Sequence, residues 1–558
     1  MPRDLSLVTA FDHVPDPPSP VRQQRRRSTP GADGQGTGRG LPVIKIGGGS
    51  LPLTIDDAER ALLATDHDLY QRGDYIVRPA AVAIRIADQR SATALRLVVV
   101  KANHLVERFT AAADFQRFDA RSRKWVSVDC PPSIAAAYLE RVGLWRLRVL
   151  TGIANAPTLR PDGTVLDQPG YDTATGILFD PRGIAFPPVP LRPTRADALA
   201  ALAKLRLLTS EFPFIADREG SDASASRSVA LSGILTACIR RSLPAAPLHA
   251  FTAPVMGSGK SKLVDLASMI ASGHEAPVIS QGATPEEMEK RLGAALIAGD
   301  ALVSLDNVEH AIGGELLCQA VTQAELRIRI LGKSLNVPVP NTAAFFATGN
   351  NLQIDGDMVR RAIICSLDPQ CERPENRTFA TEDPVETVRR DRAEYLVAAL
   401  TVLRAYDLAG RPQQTSPLGS FEAWSRWVRD ALVWLGESDP CATMERAREN
   451  DHRLQTLAAV LHEWHAALGS AAVTTKQVID KATDRYALAG AADLNERGFL
   501  HPEFREALLV VAGDGGAINS KRLGHWISRH KGRIVNDLRI VEATVSHGNA
   551  RWAVVTAS

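Results

Sequence analysis

Six cysteines in 558 residues, Cys130, Cys238, Cys318, Cys365, Cys371 and Cys441, stand singly, with no C-x-x-C pair and no histidine partner at zinc spacing. That scarcity excludes a disulfide-stapled scaffold, argues against a structural metal, and fits reduced thiols in a cytoplasmic protein. Nothing resembling a secretory leader is present. No apolar run reaches the roughly 18 residues of a membrane span, so no membrane partner is expected. A charge excess is lacking too: 65 Lys and Arg stand against 63 Asp and Glu, a net +2, so any contact with nucleic acid must come from local patches. With 45% hydrophobic and 23% charged residues, the composition is that of an ordinary globular protein. The length exceeds what one hydrophobic core serves, which predicts three or four domains.

What is present concentrates between residues 248 and 350. Residues 248–253 are short, largely apolar and bounded by prolines, which predicts a buried strand. Gly257-Ser258-Gly259-Lys260-Ser261 follows, and then residues 263–270 have helical apolar spacing that stops at Gly273. Strand, glycine-rich turn and helix is the setting of a phosphate loop. Backbone N–H groups released by the glycines close around a β-phosphate, Lys260 reaches the β and γ oxygens, Ser261 holds Mg²⁺, and the helix N-terminus adds its positive dipole end. The pattern G-x-x-x-x-G-K-[ST] is incomplete, because Pro254 stands where its first glycine belongs.

A second apolar run, 301–307, ends in Asp306-Asn307. It follows a predicted helix with Thr284 as N-cap, Pro285 at its first position, Glu287 completing a capping box and Gly299 at its end. A carboxylate at a strand end beside a phosphate loop can hold Mg²⁺ through its water shell, the Walker B arrangement. Asn307 occupies the place of the glutamate that polarises the attacking water in many such sites. Either Glu309 substitutes or Asn307 itself positions the water. A third strand, 342–348, leads into Asn350, whose amide is placed to orient that water. Arg360 and Arg361 precede a further strand at 362–367, where an arginine can reach a neighbouring subunit's nucleotide and stabilise transition-state charge. A solvated helix face is the plain alternative for either arginine singly.

These features, in this order, resemble the ring-forming AAA+ ATPases, and in compactness the superfamily 3 helicases of viruses, phages and plasmids, including the helicase parts of primase-helicases. The resemblance is best over residues 200–375. Pro254 and Asn307 depart from it and leave the subfamily open. It implies an α/β fold with a P-loop AAA+ core, ATP and Mg²⁺ as cofactors, a homo-hexameric ring, a primase partner, and ATP-driven movement along DNA during replication of a mobile element. It also implies a β-hairpin ahead of the sensor strand that grips DNA in the pore. Residues 325–339 supply two alternating runs around a Gly332-Lys333-Ser334 tip, which makes Lys333 and Arg329 the candidate DNA contacts. A solvated turn is the alternative.

The rest of the chain divides as follows. Residues 1–41, rich in Pro, Gly, Ser and Arg, are expected to be disordered, with Arg25-Arg26-Arg27 more readily a solvated run than a phosphate contact. Residues 42–192 read as an N-terminal α/β domain: Thr54 caps a helix, 75–77 and 95–100 are strands, and 131–142 is a helix. Its Trp125, Trp145 and Tyr171 can stack bases but more often serve a core, and no acidic constellation suggests a primase site. Residues 193–375 form the ATPase unit, opening on a helix capped by Thr194. Residues 376–470 read as a helical lid in which Trp424, Trp427, Trp434 and Trp464 form one packed stripe. Residues 471–558 read as a winged helix: two helices, a third from Ser520 to His530 carrying Lys521, Arg522 and Arg529, and a hairpin. From Gly513 onward seven cations face three carboxylates, the local excess a DNA-binding helix needs, although such a module also serves protein contacts.

Two function classes follow. One is a hexameric DNA helicase or translocase. The other is an AAA+ ATPase that remodels a protein partner, with the winged helix as adaptor. Stimulation of ATP hydrolysis by single-stranded DNA separates them.

Overall fold

The computed structural model describes residues 40–65, 68–85, 91–217, 224–282, 284–329, 336–378, 382–444, 452–486, 498–546 and 549–557. The expected tail with its arginine run, up to residue 39, lies outside the described residues, as does Lys333.

At the centre is a parallel sheet of five strands: β1 (Leu248–Ala253), β2 (Val278–Ser280), β3 (Leu302–Asp306), β4 (Ala344–Asn350) and β5 (Ala362–Ser366). Their spatial order is β2-β3-β4-β1-β5, with every neighbouring pair parallel. Strands covered on both faces lose the polar alternation of half-exposed ones. That is why β4 is buried from Ala344 through Gly349. A mixed α/β architecture with a parallel sheet is therefore the fold of this region, as its composition of short apolar runs and capped helices predicts.

Around the sheet pack α1 (Arg195–Leu208), α2 (Ala225–Ile239), α3 (Lys260–Ser272), α4 (Pro285–Ala298) and α5 (Pro384–Leu408). Thr194 and Asp197 close a reciprocal capping box on α1, and Thr284 accepts a hydrogen bond from the Glu287 backbone at the start of α4. Helix α2 is buried all round except at Arg227, as a helix without a polar face must be. One continuous core runs from Ala156 to Met444, crossing positions 193 and 376 without a break.

The N-terminal unit has its own core, with Ile44, Phe109, Phe115 and Tyr138 beneath a three-stranded sheet of Val43–Ile46, Asp114–Asp119 and Lys124–Val128. Its first helix, Leu51–Thr65, begins earlier than expected. Thr54 lies inside it and donates its hydroxyl to the Ser50 carbonyl, so Thr54 is not the cap. The unit is tied to the centre by Arg72, which donates to the carbonyls of Leu296 and Pro340. A third core, with Trp464, Phe504, Leu523, Ile527 and Trp552, unites the helices His452–Leu468, Pro502–Ala512 and Ser520–His530 with the antiparallel pair Leu538–Ser546 and Asn549–Thr556. The tryptophans therefore do not form one stripe. Trp424, Trp427 and Trp434 pack in the central core, whereas Trp464 sits against Phe504 in the C-terminal one. Even spacing along a chain does not carry across the break between two helices.

Among the described residues no helix is long and apolar enough to cross a membrane, and no cluster of His, Cys, Asp and Glu has the makings of a metal-ion cage.

Candidate nucleotide site

The turn between β1 and α3 is shaped by two glycines in left-handed conformation, Gly257 at φ 75° and Gly259 at φ 94°. At Gly259 a side chain is excluded twice over, because a Cβ there would also stand 2.8 Å from the Phe212 ring. Ser258, buried, donates its hydroxyl to the Val255 carbonyl at 2.7 Å and ties the loop to itself. Lys260 opens α3 with only 9% of its surface exposed. Its ammonium donates to the Val255 carbonyl at 3.0 Å and to the Asn350 side-chain oxygen at 2.8 Å. Burial lowers its pKa, and the nearby Asp306 carboxylate partly opposes that shift. Ser261 comes next, and its hydroxyl donates to Asp306 Oδ1 at 3.0 Å.

The parallel register explains why residues so distant in sequence meet. β1 and β4 run side by side with Ala253 beside Asn350, and β3 pairs with β4 through Leu305 and Ala347. All three strands therefore end at the same edge, where α3 begins. That edge opens on a cavity of about 770 Å³. Gly257, Ser258, Gly259, Lys260, Ser261, Asp306, Asn307 and Asn350 all line it. The structure thus brings together eight of the residues singled out from the sequence.

Three others are elsewhere. Glu309 is exposed and is not among the lining residues. Arg360 ends a tight 3₁₀ turn, Gly356–Arg360, and Arg361 follows it; both pair with Asp357, Arg361 at 2.7 Å. The hydrogen bond to Asp357 raises the Arg360 pKa, and the bond from Arg360 lowers that of Asp357. Arg361 lines a separate hollow of about 410 Å³ with Cys318 and Asp355. Neither arginine belongs to the cavity of its own chain.

Sequence reasoning passed over Thr348. Its hydroxyl donates to Asp306 Oδ1 and accepts from the Asn307 backbone N–H at 3.1 Å, holding the strand end where Asn307 turns to φ 50°. Pairing the two apolar runs in register would have found it, since Thr348 follows Ala347 as Asp306 follows Leu305. Phe212, Pro374, Glu375, Arg377 and Asp383 also line the cavity. They come from chain segments whose local pattern carries no phosphate signature, so no motif could place them there.

The residues present fit a nucleoside triphosphate with a divalent cation. The left-handed turn leaves room for phosphate against the backbone, one buried ammonium faces the space, and a hydroxyl and a carboxylate lie together as oxygen donors suited to Mg²⁺.

At the hairpin ahead of β4, Glu325–Arg329 pairs with Asn336–Pro340, Arg329 opposite Asn336. In the C-terminal unit, Asn519 caps the helix Ser520–His530 by accepting from the backbones of Lys521 and Arg522. Leu523 and Ile527 face the core while Lys521, Arg522 and Arg529 are exposed. Arg522 also donates to the Gly513 carbonyl at 2.8 Å.

No protein-family model matches the chain, and no curated protein does. Among solved structures, an apo form of the NrS-1 C-terminal region is similar at 14% identity with a TM-score of 0.34, over 68% of this chain and 79% of that one. A second apo structure of that region gives 11% identity and a TM-score of 0.33, over 77% and 92%. JCV helicase, bound to a substituted acetamide, gives 12% identity and a TM-score of 0.20, over 48% of this chain and 72% of that one. Likeness at these scores is too slight to assign a function or to superpose sites.

Proposed function

We propose that this chain is an ATP-dependent DNA helicase or translocase that acts in the cytoplasm, in the replication of a phage, plasmid or integrated mobile element. The reading rests above all on one observation: Lys260, Ser261, Asp306 and Asn350, from two parallel strands and one helix N-terminus, converge on a single cavity. Such a set suits a P-loop ATPase. Lys260 and the backbone of the glycine turn would hold the β and γ phosphates, and Ser261 and Asp306 would hold Mg²⁺, which neutralises charge on the transferring phosphoryl group. Asn350 would then exchange Lys260 for the attacking water. With Glu309 outside the cavity lining, Asn307 is the better candidate of the two to position that water.

That neither Arg360 nor Arg361 lines the cavity of its own chain fits a ring in which each subunit completes its neighbour's site, a homo-hexamer in this reading. DNA would run through the pore past the 325–340 hairpin, and the exposed cations of the C-terminal helix, in a winged-helix module, would hold duplex. A primase partner would share the replication task. The test is the ATPase rate with and without single-stranded DNA. Stimulation supports the motor, whereas turnover indifferent to DNA favours a protein-remodelling ATPase.

A further inference from the structure

The three-stranded sheet of the N-terminal unit has one covered face and one open face. Ile44 and Phe115 point into the helices and are buried, so their neighbours of opposite parity point away. On that open face Phe118 and Trp125 are cross-strand partners, 49% and 40% exposed, with ring centroids 5.6 Å apart in an edge-to-face arrangement. The Lys45 ammonium stands 5.1 Å from the centre of the Trp125 ring. Val43, on the same face, is also exposed. Two large aromatic rings on a sheet face, each only about half covered, keep much of their apolar surface in water. They represent an unspent driving force for association.

Charge says which occupant fits. Lys45 lies beside the rings and Arg121 and Arg123 in the adjoining turn, all exposed, whereas Arg117 and Lys124 alternate to the opposite face; the carboxylates nearby are Asp114, Asp119 and Asp129. Two of those carboxylates are engaged locally: Asp114 accepts from Gln116 at 2.7 Å, and Asp119 accepts from the turn backbone and from Ser122 at 2.6 Å. The cations remain available at the tip of the hairpin. Exposed rings flanked by free cations are the requirements for holding an unpaired strand, with bases on the rings and phosphates on the lysines and arginines.

We infer that this face is a second contact for single-stranded nucleic acid, separate from the motor cavity and from the C-terminal helix. A base stacks on Phe118 or takes the place of Lys45 on Trp125, and Arg121 and Arg123 follow the backbone. The contact is indifferent to sequence, because every base has a stacking face. The inference rests on the proposed action on DNA and adds where the strand is held outside the pore.

The test uses the full chain and a fluorescent oligothymidylate, without nucleotide, with the ring variants compared at one low salt concentration and the arginine variants over a salt series. Replacing both rings, Phe118→Ala with Trp125→Ala, is expected to weaken binding by roughly tenfold for each ring removed, by the usual size of base–aromatic stacking. Trp125→Tyr should retain most of the affinity. Arg121→Ala with Arg123→Ala should lower the salt slope by about 0.7 for each phosphate no longer neutralised, the single-strand value. Because the rings are exposed, the fold and the ATPase rate without DNA should stay unchanged. Unaltered affinity in the double variant overturns this inference alone. Wild-type protein that binds no oligothymidylate overturns it together with the DNA reading. A change of oligomeric state in the double variant assigns the face to contacts between copies of the chain, and overturns it too.

Discussion

Replacing Thr348 by valine removes one hydroxyl and leaves the volume of a buried strand residue nearly intact. That hydroxyl makes two bonds, one to the Asp306 carboxylate and one from the Asn307 N–H. A hydrogen bond to a charged group contributes about 1.5–3 kcal/mol, and the N–H of Asn307, an exposed residue, loses less because water can replace the hydroxyl. Part of this loss appears as stability, a lowering of Tm by several degrees. The part that matters for chemistry is the freedom given to Asp306, which then keeps only Ser261 as a partner and no longer presents one fixed oxygen to Mg²⁺. If half of a 3 kcal/mol loss is expressed in the transition state, turnover falls about tenfold. The assay is steady-state ATP hydrolysis over a Mg²⁺ series. The expected result is a lower kcat with a raised Mg²⁺ requirement, while nucleotide binding without metal is retained through Lys260. A variant with wild-type turnover and an unchanged Mg²⁺ requirement would refute the role given to Thr348 and, with it, the assignment of Asp306 to the metal.

Arg360→Ala and Arg361→Ala should each be tested for ATP binding and turnover. The arginine that works in trans is expected to leave binding intact and depress hydrolysis, and mixing its variant with Lys260→Ala protein should restore part of the rate through hybrid interfaces. No restoration for either would make the pair structural. A chain ending at residue 444, which removes the whole C-terminal core rather than cutting through it, should keep basal ATPase and lose duplex affinity, with the log–log salt slope falling by about 0.9 for each phosphate no longer neutralised. An unchanged slope would move the duplex-binding surface elsewhere. His249, buried between Ser232 and Phe346, has its pKa pushed down to about 3 by desolvation. Its unfolded value is about 6.5, so the unfolded chain binds the extra proton, and the stability from this group is full above that value and lost as pH falls toward 3. The slope is about 1.4 kcal/mol per pH unit at most, and denaturant unfolding of His249→Leu should flatten it in that window.

Much of the central sheet was legible because β1, β3 and β4 are buried on both faces and α1 and α4 carry their own start signals, whereas the short exposed edge strand β2 gave no such pattern. Thr284 and Thr194 cap the helices they were expected to cap, and the hairpin strands near residues 540 and 553 lie where alternation placed them. Local patterns failed where the deciding interaction is distant. Thr54 has the chemistry of a cap, but Ser50 lies one turn earlier and claims the helix start. The tryptophan spacing continued across a division between two cores. The site divides in the same way: Lys260 and Ser261 were readable from a motif, whereas Thr348 and Phe212 acquire meaning only once strand register and loop packing bring them to the cavity. Arg360 and Arg361 were readable as a pair, but their pairing with Asp357 and their place outside the cavity lining of their own chain emerge only from the fold.

The central claim is a motor that couples the cavity to a DNA strand. Its most direct measurement is the rate of ATP hydrolysis by the 558-residue chain with and without oligothymidylate, beside the Lys260→Ala variant. A rate that rises several-fold with the strand, and falls to background in the variant under both conditions, is the predicted result. Hydrolysis that survives Lys260→Ala would contradict the nucleotide site, and hydrolysis abolished in the variant but indifferent to DNA would contradict the motor.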